Sequence, residues 1–248
     1  MLNTYKTGEI AKIIGIHPNT VRLYEKLELI PKPERQANGY RIFNDFHIEQ
    51  FRLARLAFQI ELLQNGLRKK IVQMVKVSAK GDFERAMILT SEYLTRVRRE
   101  RVNAEEAIEI VKGILSGGKN ENTRFLKRRE VSEDLSVSMD TLRNWEMNGL
   151  VTIKRKQNGY RVYTEDDIRY LKIIRSLRCA NYSLEAILHM LHRLSNDPEA
   201  DIKKVLNTPK PDADIITVCD RLMTSLAEAE NNALEIMDKL QKMKERFS

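Results

Sequence analysis

Cysteine is nearly absent from this chain: Cys179 and Cys219 are the only two in 248 residues. Two thiols are too few for a disulfide framework or a structural zinc site. Glycine (10) and proline (6) are also scarce, which argues against a turn-dense β protein and for helices. No apolar run approaches the roughly 18 residues that a membrane span needs. The N-terminus, MLNTYKTGEI, lacks the basic start and apolar stretch of a secretory signal. These absences lead to the expectation of a cytoplasmic protein with no membrane partner. What is present is 42% hydrophobic and 31% charged residues, a balance that suits a folded, helix-rich chain with a charged surface.

The net charge of +8 is unevenly spread. Residues 1–80 hold 14 basic and 7 acidic side chains, and residues 124–195 hold 14 and 9. The segments 81–123 and 196–248 are mildly acidic. Two separate basic blocks are the electrostatic footprint of a polyanion binder, although a solvated basic face would look the same.

The two basic blocks are copies of one another. "ANGYRIF" at 37–43 recurs as "QNGYRVY" at 157–163. At an offset of 121, Ile10 falls on Val131, Ile14 on Leu135, Ile16 on Val137 and Leu29 on Leu150. Thr20 falls on Thr141, Arg22 on Arg143, Tyr24 on Trp145 and Glu25 on Glu146. The offset drops to 120 at Asn-Gly-Tyr-Arg, where Phe43 meets Tyr163 and Ile48 meets Ile168. Apolar positions match through about 45 residues, which marks a duplicated domain.

Each copy has the pattern of a helix-turn-helix. Helical spacing covers about 7–14 and 128–135, a tight turn follows, and a second helix runs about 18–27 and 139–148. Asn38-Gly39 and Asn158-Gly159 are hairpin signals, since both residue types tolerate positive φ. Tyr-Arg-Ile-Phe and Tyr-Arg-Val-Tyr then alternate as a returning strand, making a small wing. "TEDD" at 164–167 predicts a helix start with Thr164 as N-cap and acids in the first turn.

This ordered set resembles the MerR family of bacterial transcription regulators. In the second copy the resemblance lies in Thr141-Leu142-Arg143, Trp145-Glu146, "NGLV", "NGYRVYTEDDI" and "YSLEAI". In the first it lies in Thr20-Val21-Arg22, Tyr24-Glu25 and "NGYRIF". The first copy departs at "FQIELLQNGLRKKI", which carries about four extra residues and lacks Ser-Leu-Glu. The resemblance covers about 140 of the 248 residues. It implies a dimer, joined by antiparallel long helices, that bends and untwists promoter DNA and works with RNA polymerase at the promoter, within the nucleoid. Usual members carry one DNA-binding domain per chain; this chain carries two.

The expected DNA-binding residues follow. Arg22 and Arg143 sit on the recognition helices, where arginine suits paired contacts to guanine or a phosphate clamp. His17, Asn19 and Thr20 open the first recognition helix, and Ser138, Asp140 and Thr141 open the second, facing bases or phosphates or serving as caps. The helices differ chemically, His17-Pro18-Asn19 against Ser138-Met139-Asp140, and the acid at 140 disfavours close phosphate approach, so the two domains are expected to read different half-sites; Leu23 against Asn144 strengthens that expectation. Tyr40, Arg41, Tyr160 and Arg161 lie on the wings, the arginines reaching backbone or minor groove and the tyrosines touching phosphate or packing in the core. Arg35, Lys154, Arg155 and Lys156 add phosphate attraction. Tyr24 and Trp145 pack beneath the helix while offering OH or NH to phosphate.

Ile215, Cys219, Leu222, Leu226, Ala229, Ala233, Ile236, Leu240, Met243 and Phe247 make a heptad seam. A weaker one runs through Met87, Leu94, Val97, Ala104, Ile108, Val111 and Leu115, interrupted by Thr90 and Arg101. The expected fold is therefore mainly α: two winged helix-turn-helix domains, each followed by a long helix, the long helices pairing as an antiparallel coiled coil. The expected organisation is a first winged domain over 1–80, a long helix over 81–115, a linker over 116–123, a second winged domain over 124–195, a connector over 196–211 and a C-terminal helix over 212–248. One chain would then act as an intrachain pseudo-dimer on an asymmetric pseudo-palindrome. A homodimer through either helix is the alternative.

Cys219 fits the heptad seam and Cys179 ends a helix, so both are expected as packed thiols. His189 and His192 are three apart but lack a third ligand at matching spacing, and no metal or cofactor is expected. The stretch 195–215 suits either a small site or a link, leaving a small-molecule effector open. No phosphate loop or nucleophile elbow is present, and an enzyme is not expected. Besides a promoter-specific regulator, an architectural or excision-type DNA-binding protein shares these features.

Overall fold

The computed structural model describes residues 3–59, 63–116, 125–154, 161–196 and 215–248. The linker, the tip of the second wing and the connector after Asn196 lie outside the described residues. So do the side chains of His189, His192 and Cys219.

The first copy runs β1 (Thr4–Tyr5), α1 (Thr7–Ile14), α2 (Pro18–Lys26), β2 (Glu34–Arg35), β3 (Arg41–Asn44), α3 (Asp45–Ala57) and α4 (Leu67–Ser78). A 33-residue helix, α5 (Phe83–Leu115), follows. The second copy runs β4 (Phe125–Leu126), α6 (Arg128–Asp134), α7 (Met139–Met147), β5 (Tyr163–Thr164), α8 (Glu165–Cys179) and α9 (Leu184–Asn196). The last element, α10 (Ile215–Phe247), is again 33 residues long. The protein is mainly α, with only short strands among the described residues.

The chain forms two compact units, and both long helices contribute to each. One unit holds Met1–Glu61, Gly66–Arg98 and Ala227–Ser248; the other holds Leu62–Asn65 and Arg99–Leu226.

In the first unit, α1 and α2 close over Ile10, Val21, Phe43 and Phe51, all essentially inaccessible to water. The turn between them is reached through Gly15, whose φ of +71° caps α1. The second copy takes the same left-handed step at Ser136, φ +52°. In the wing, β3 is central and antiparallel to both neighbours, Tyr5 opposite Phe43 and Arg35 opposite Arg41. Strands β1 and β4, two residues each, are too short to show alternation and are absent from the sequence reading. The hairpin tip differs from an Asn-Gly two-residue turn. Gly39 N–H donates to Gln36 O and Gln36 N–H to Tyr40 O, both at 2.8 Å, and Gly39 rather than Asn38 takes positive φ. That is a type I turn closed by a left-handed glycine. Asn38 instead accepts from Tyr40 N–H through its side chain. Buried Gln50 ties the layers together, donating to Leu29 O and Val75 O and accepting from Ser78.

Helix α3 leans on the C-terminal half of α10. Arg246 reaches Asp45 and Lys239 reaches Glu49, each at 3.0 Å, and Phe247 packs on Phe46 at 5.2 Å. In the same unit, Arg98 pairs with Glu230 at 2.7 Å and Glu84 with Lys244, an antiparallel order of α5 and α10. The expected seam of α10 is buried at Leu222, Leu226, Ala229, Ala233, Ile236, Leu240 and Met243.

The seam of α5 is shifted. Thr90, Val97, Ala104 and Val111 are buried, but the companion column is Ala86, Tyr93, Glu100 and Ala107. Met87, Leu94 and Ile108 lie one residue aside and are only partly buried. In the second unit the charged member of that column, Glu100, is paired. Arg175 of α8 grips Glu100 through both nitrogens, at 2.8 and 2.9 Å, and donates through Nε to Leu135 O at 2.6 Å. A paired carboxylate can occupy a seam position that a lone one cannot. Thr164 caps α8 as expected, exchanging hydrogen bonds with Asp167. Cys179 is buried, and that burial raises its thiol pKa away from reactivity.

Candidate nucleic-acid interface

In both copies the second helix of the helix-turn-helix presents one face outward. Helix α2 starts with Pro18 at its first position, where no N–H is missed, and His17 as N-cap accepting from Asn19 N–H at 3.1 Å. Val21 turns inward and anchors the helix. His17, Asn19, Arg22 and Leu23 face water, and Arg22 donates to Asn19 Oδ1 at 3.2 Å. Thr20 is half-buried. Helix α7 repeats this: Ser138 is the N-cap, accepting from Thr141 N–H at 3.0 Å, and Leu142 is the inward anchor. Ser138, Asp140, Arg143 and Asn144 are exposed, and half-buried Thr141 shares a hydrogen bond with the Ser138 hydroxyl.

The wings are fastened to these helices through two glutamates. Arg41 Nε meets Glu25 at 2.5 Å, and Arg35 approaches the same carboxylate at 3.5 Å. In the second copy Arg161 Nε meets Glu146 at 2.6 Å. Arg128 holds Glu146 through two contacts at 2.6 and 2.8 Å, and Tyr163 OH donates to it at 2.6 Å. Burial works against the Glu146 charge, but the hydrogen bonds from Tyr163 and Arg128 and the charges of Arg128 and Arg161 outweigh it. Its carboxyl is held below the usual carboxylate range. Tyr163 is pushed up to about 12, first by burial. Glu25 and Glu146 are matched in the repeat, yet their role escapes sequence reasoning because their partners come from elsewhere in the fold.

The structure therefore separates the expected DNA-binding residues. Arg41 and Arg161, expected as free wing ends, have their Nε atoms on carboxylates. Arg35, also bonded to Gly39 O, and exposed Tyr40 remain outward on the first wing, and Lys154 on the second. Tyr24 is half-buried, stacked on Phe51 at 5.2 Å, its hydroxyl pKa raised by burial. Trp145, at 4% exposure, belongs to the hydrophobic core of the second unit rather than to its surface. Arg155, Lys156 and Tyr160 lie outside the described residues. Among the described residues, no group of three or more His, Cys, Asp or Glu gathers to hold a metal. No helix among them is long and apolar enough to cross a membrane.

A capped helix with an exposed polar face, buttressed by a short hairpin, defines the class: winged helix-turn-helix domains, two per chain. Residues 126–194 match the MerR HTH family regulatory protein and residues 6–43 match the MerR family regulatory protein. The chain thus carries two MerR-family domains in tandem. Relatives include the mercuric resistance operon regulatory protein of Bacillus cereus, 31% identical over 65 residues, 26% of this chain and 49% of that protein. The HTH-type transcriptional regulator ZntR of Escherichia coli (strain K12) is 37% identical over 65 residues, 26% and 46% of the two chains. The HTH-type transcriptional regulator AdhR of Bacillus subtilis (strain 168) is 37% identical over 60 residues, 24% and 43%. The chain thus spans about half the length of the curated relatives it matches. No solved structure matches it significantly.

Proposed function

We propose that the protein is a sequence-specific double-stranded DNA-binding transcription regulator in which one chain does the work of a dimer. Each winged domain engages one half of an imperfect palindrome in promoter DNA, bending or untwisting it, with RNA polymerase as the partner at the promoter. The observation that carries this reading is the exchange of long helices. The first winged domain leans on the C-terminal half of α10, through Asp45–Arg246 and Glu49–Lys239. The second leans on α5, through Arg175–Glu100 and Lys172–Glu106. Each domain is thus braced by the long helix that belongs to the other copy, as expected of two subunits fused into one. The antiparallel order of Arg98–Glu230 and Glu84–Lys244 agrees with a coiled-coil pair. The names of the relatives, transcriptional regulators rather than enzymes, support the regulatory role.

Selecting binding sites from random duplex DNA with the full chain, then weighing the complex by light scattering, tests both parts. One chain per duplex, with two unlike half-sites, is the expected result. Two chains per duplex would sink the single-chain pseudo-dimer. Arg22→Ala and Arg143→Ala should each weaken binding by roughly 1–3 kcal/mol and relax different half-sites.

A further inference from the structure

Leu23 and Asn144 occupy one position in the two copies. Each follows the recognition-helix arginine, Arg22 or Arg143, and precedes the inward aromatic, Tyr24 or Trp145. Everything that sets the pose of this position is duplicated: a side-chain N-cap at His17 or Ser138, an inward anchor at Val21 or Leu142, and a glutamate clamped to the wing. The side chains themselves have opposite chemistry. Leu23 is 48% exposed, a large aliphatic group on a face otherwise made of His17, Asn19, Arg22 and Lys26. Asn144 is exposed, and its side-chain amide makes no hydrogen bond among the described residues, so donor and acceptor are both free.

We propose that this pair of residues makes the two half-sites different, a proposal that rests on the DNA-binding reading above. Leu23 packs on the C5-methyl group of a thymine in the major groove. Asn144 makes paired hydrogen bonds to N6 and N7 of an adenine at the matching position of the other half-site. Apolar contact with the thymine methyl and the asparagine–adenine pairing are the contacts that these side-chain chemistries make with base edges. Arg22 and Arg143, identical in the two copies, contribute equally to both halves. The base pair under residues 23 and 144 is therefore one at which the two half-sites differ.

The test uses the full chain and the duplex selected above, with single-atom changes in the DNA. Thymines are replaced one at a time by uracil, which removes only the methyl group, and adenines by 7-deazaadenine, which removes only the N7 acceptor. One uracil in one half-site should weaken binding about fourfold, the value of one buried methyl group. That loss should vanish in Leu23→Ala. One 7-deazaadenine in the other half-site should cost about fivefold or more, and that loss should vanish in Asn144→Ala. Leu23→Asn should transfer 7-deazaadenine sensitivity to the first half-site. Both side chains are solvent-facing, and unchanged circular dichroism checks that the variants fold. Insensitivity to every uracil, or a uracil penalty that persists in Leu23→Ala, overturns the Leu23 assignment while leaving DNA binding intact. Failure of any sequence to enrich overturns the DNA-binding reading itself.

Discussion

Replacing Arg175 by Met should cost the second unit more than any other single change of its charged residues. The Arg175 and Glu100 side chains are 6% and 8% exposed, and they meet through two hydrogen bonds. Arg175 also closes the end of α6 through Leu135 O, at the start of the helix-turn-helix turn. Its removal strands the Glu100 carboxylate with a long contact from Asn65 at 3.4 Å and the neighbouring Cys179 thiol, and leaves the Leu135 carbonyl without this donor. Breaking a buried pair from one side costs about 3–5 kcal/mol, most of it the burial of the remaining charge. Removing both ends should cost much less, because the Glu100→Leu/Arg175→Met pair leaves no stranded charge. Trp145 is the chain's single tryptophan and sits in the same core as Leu135, so its fluorescence in urea reports this unit. The counterpart Arg55, exposed, donates to Ile14 O and Gly15 O. Arg55→Met should cost less than about 1 kcal/mol by circular dichroism. A loss under 1 kcal/mol for Arg175→Met, or a double variant as damaged as the sum of the singles, would refute the claim that this pair fixes the seam of α5.

Three further outcomes are expected. The left-handed residues Ser136 and Glu28 stand opposite glycines at the same positions, so Ser136→Gly and Glu28→Gly should each raise stability by about 0.5–1 kcal/mol in urea titrations. The buried imidazole of His47 is pushed down to about 4 by burial. Folding thus favours the neutral ring, and its contribution is lost as pH falls from 6.5 through 4. His47→Gln, which can keep the cap on Asn44, should flatten thermal stability over that window. Lys26 and Met147 are matched exposed positions. Lys26→Met should lower the slope of log affinity against log salt by about 1, and an unchanged slope would remove Lys26 from the phosphate contacts.

The sequence shows the fold wherever a side-chain period is long enough to read. Helices α1 and α2 and their copies, the α10 seam and the Thr164 cap all carry such signals. Strands of two residues such as β1 cannot alternate, so they are silent. The α5 seam misleads because Met87, Leu94 and Ile108 look better buried than Ala86, Glu100 and Ala107. Only the Arg175 guanidinium, 75 residues away, makes Glu100 tolerable there. For the wing arginines the sequence does not show what the fold places beside them. Arg41 and Arg161 read as wing ends, whereas the fold sets their Nε atoms on Glu25 and Glu146. Trp145 is expected to pack beneath its helix while offering an NH to phosphate, and its large apolar area does lie in the core.

The two copies also separate what the backbone requires from what the DNA-facing surface supplies. Both take a left-handed step before the recognition helix and another after it: Gly15 with Glu28 in the first copy, Ser136 with Gly149 in the second. Each copy meets one step with glycine and bears the strain of an L side chain at the other. The conformations therefore persist although the residues do not, and the frame around α2 and α7 is the same frame. A shared frame presents corresponding side chains at corresponding depths. On the proposed reading, the differences on the face, Asn19 against Asp140, Leu23 against Asn144 and Lys26 against Met147, would meet the DNA directly. A homodimer cannot vary its two recognition helices independently, because one sequence builds both. This chain can, and its two helices already differ where they face outward and agree where they face the core.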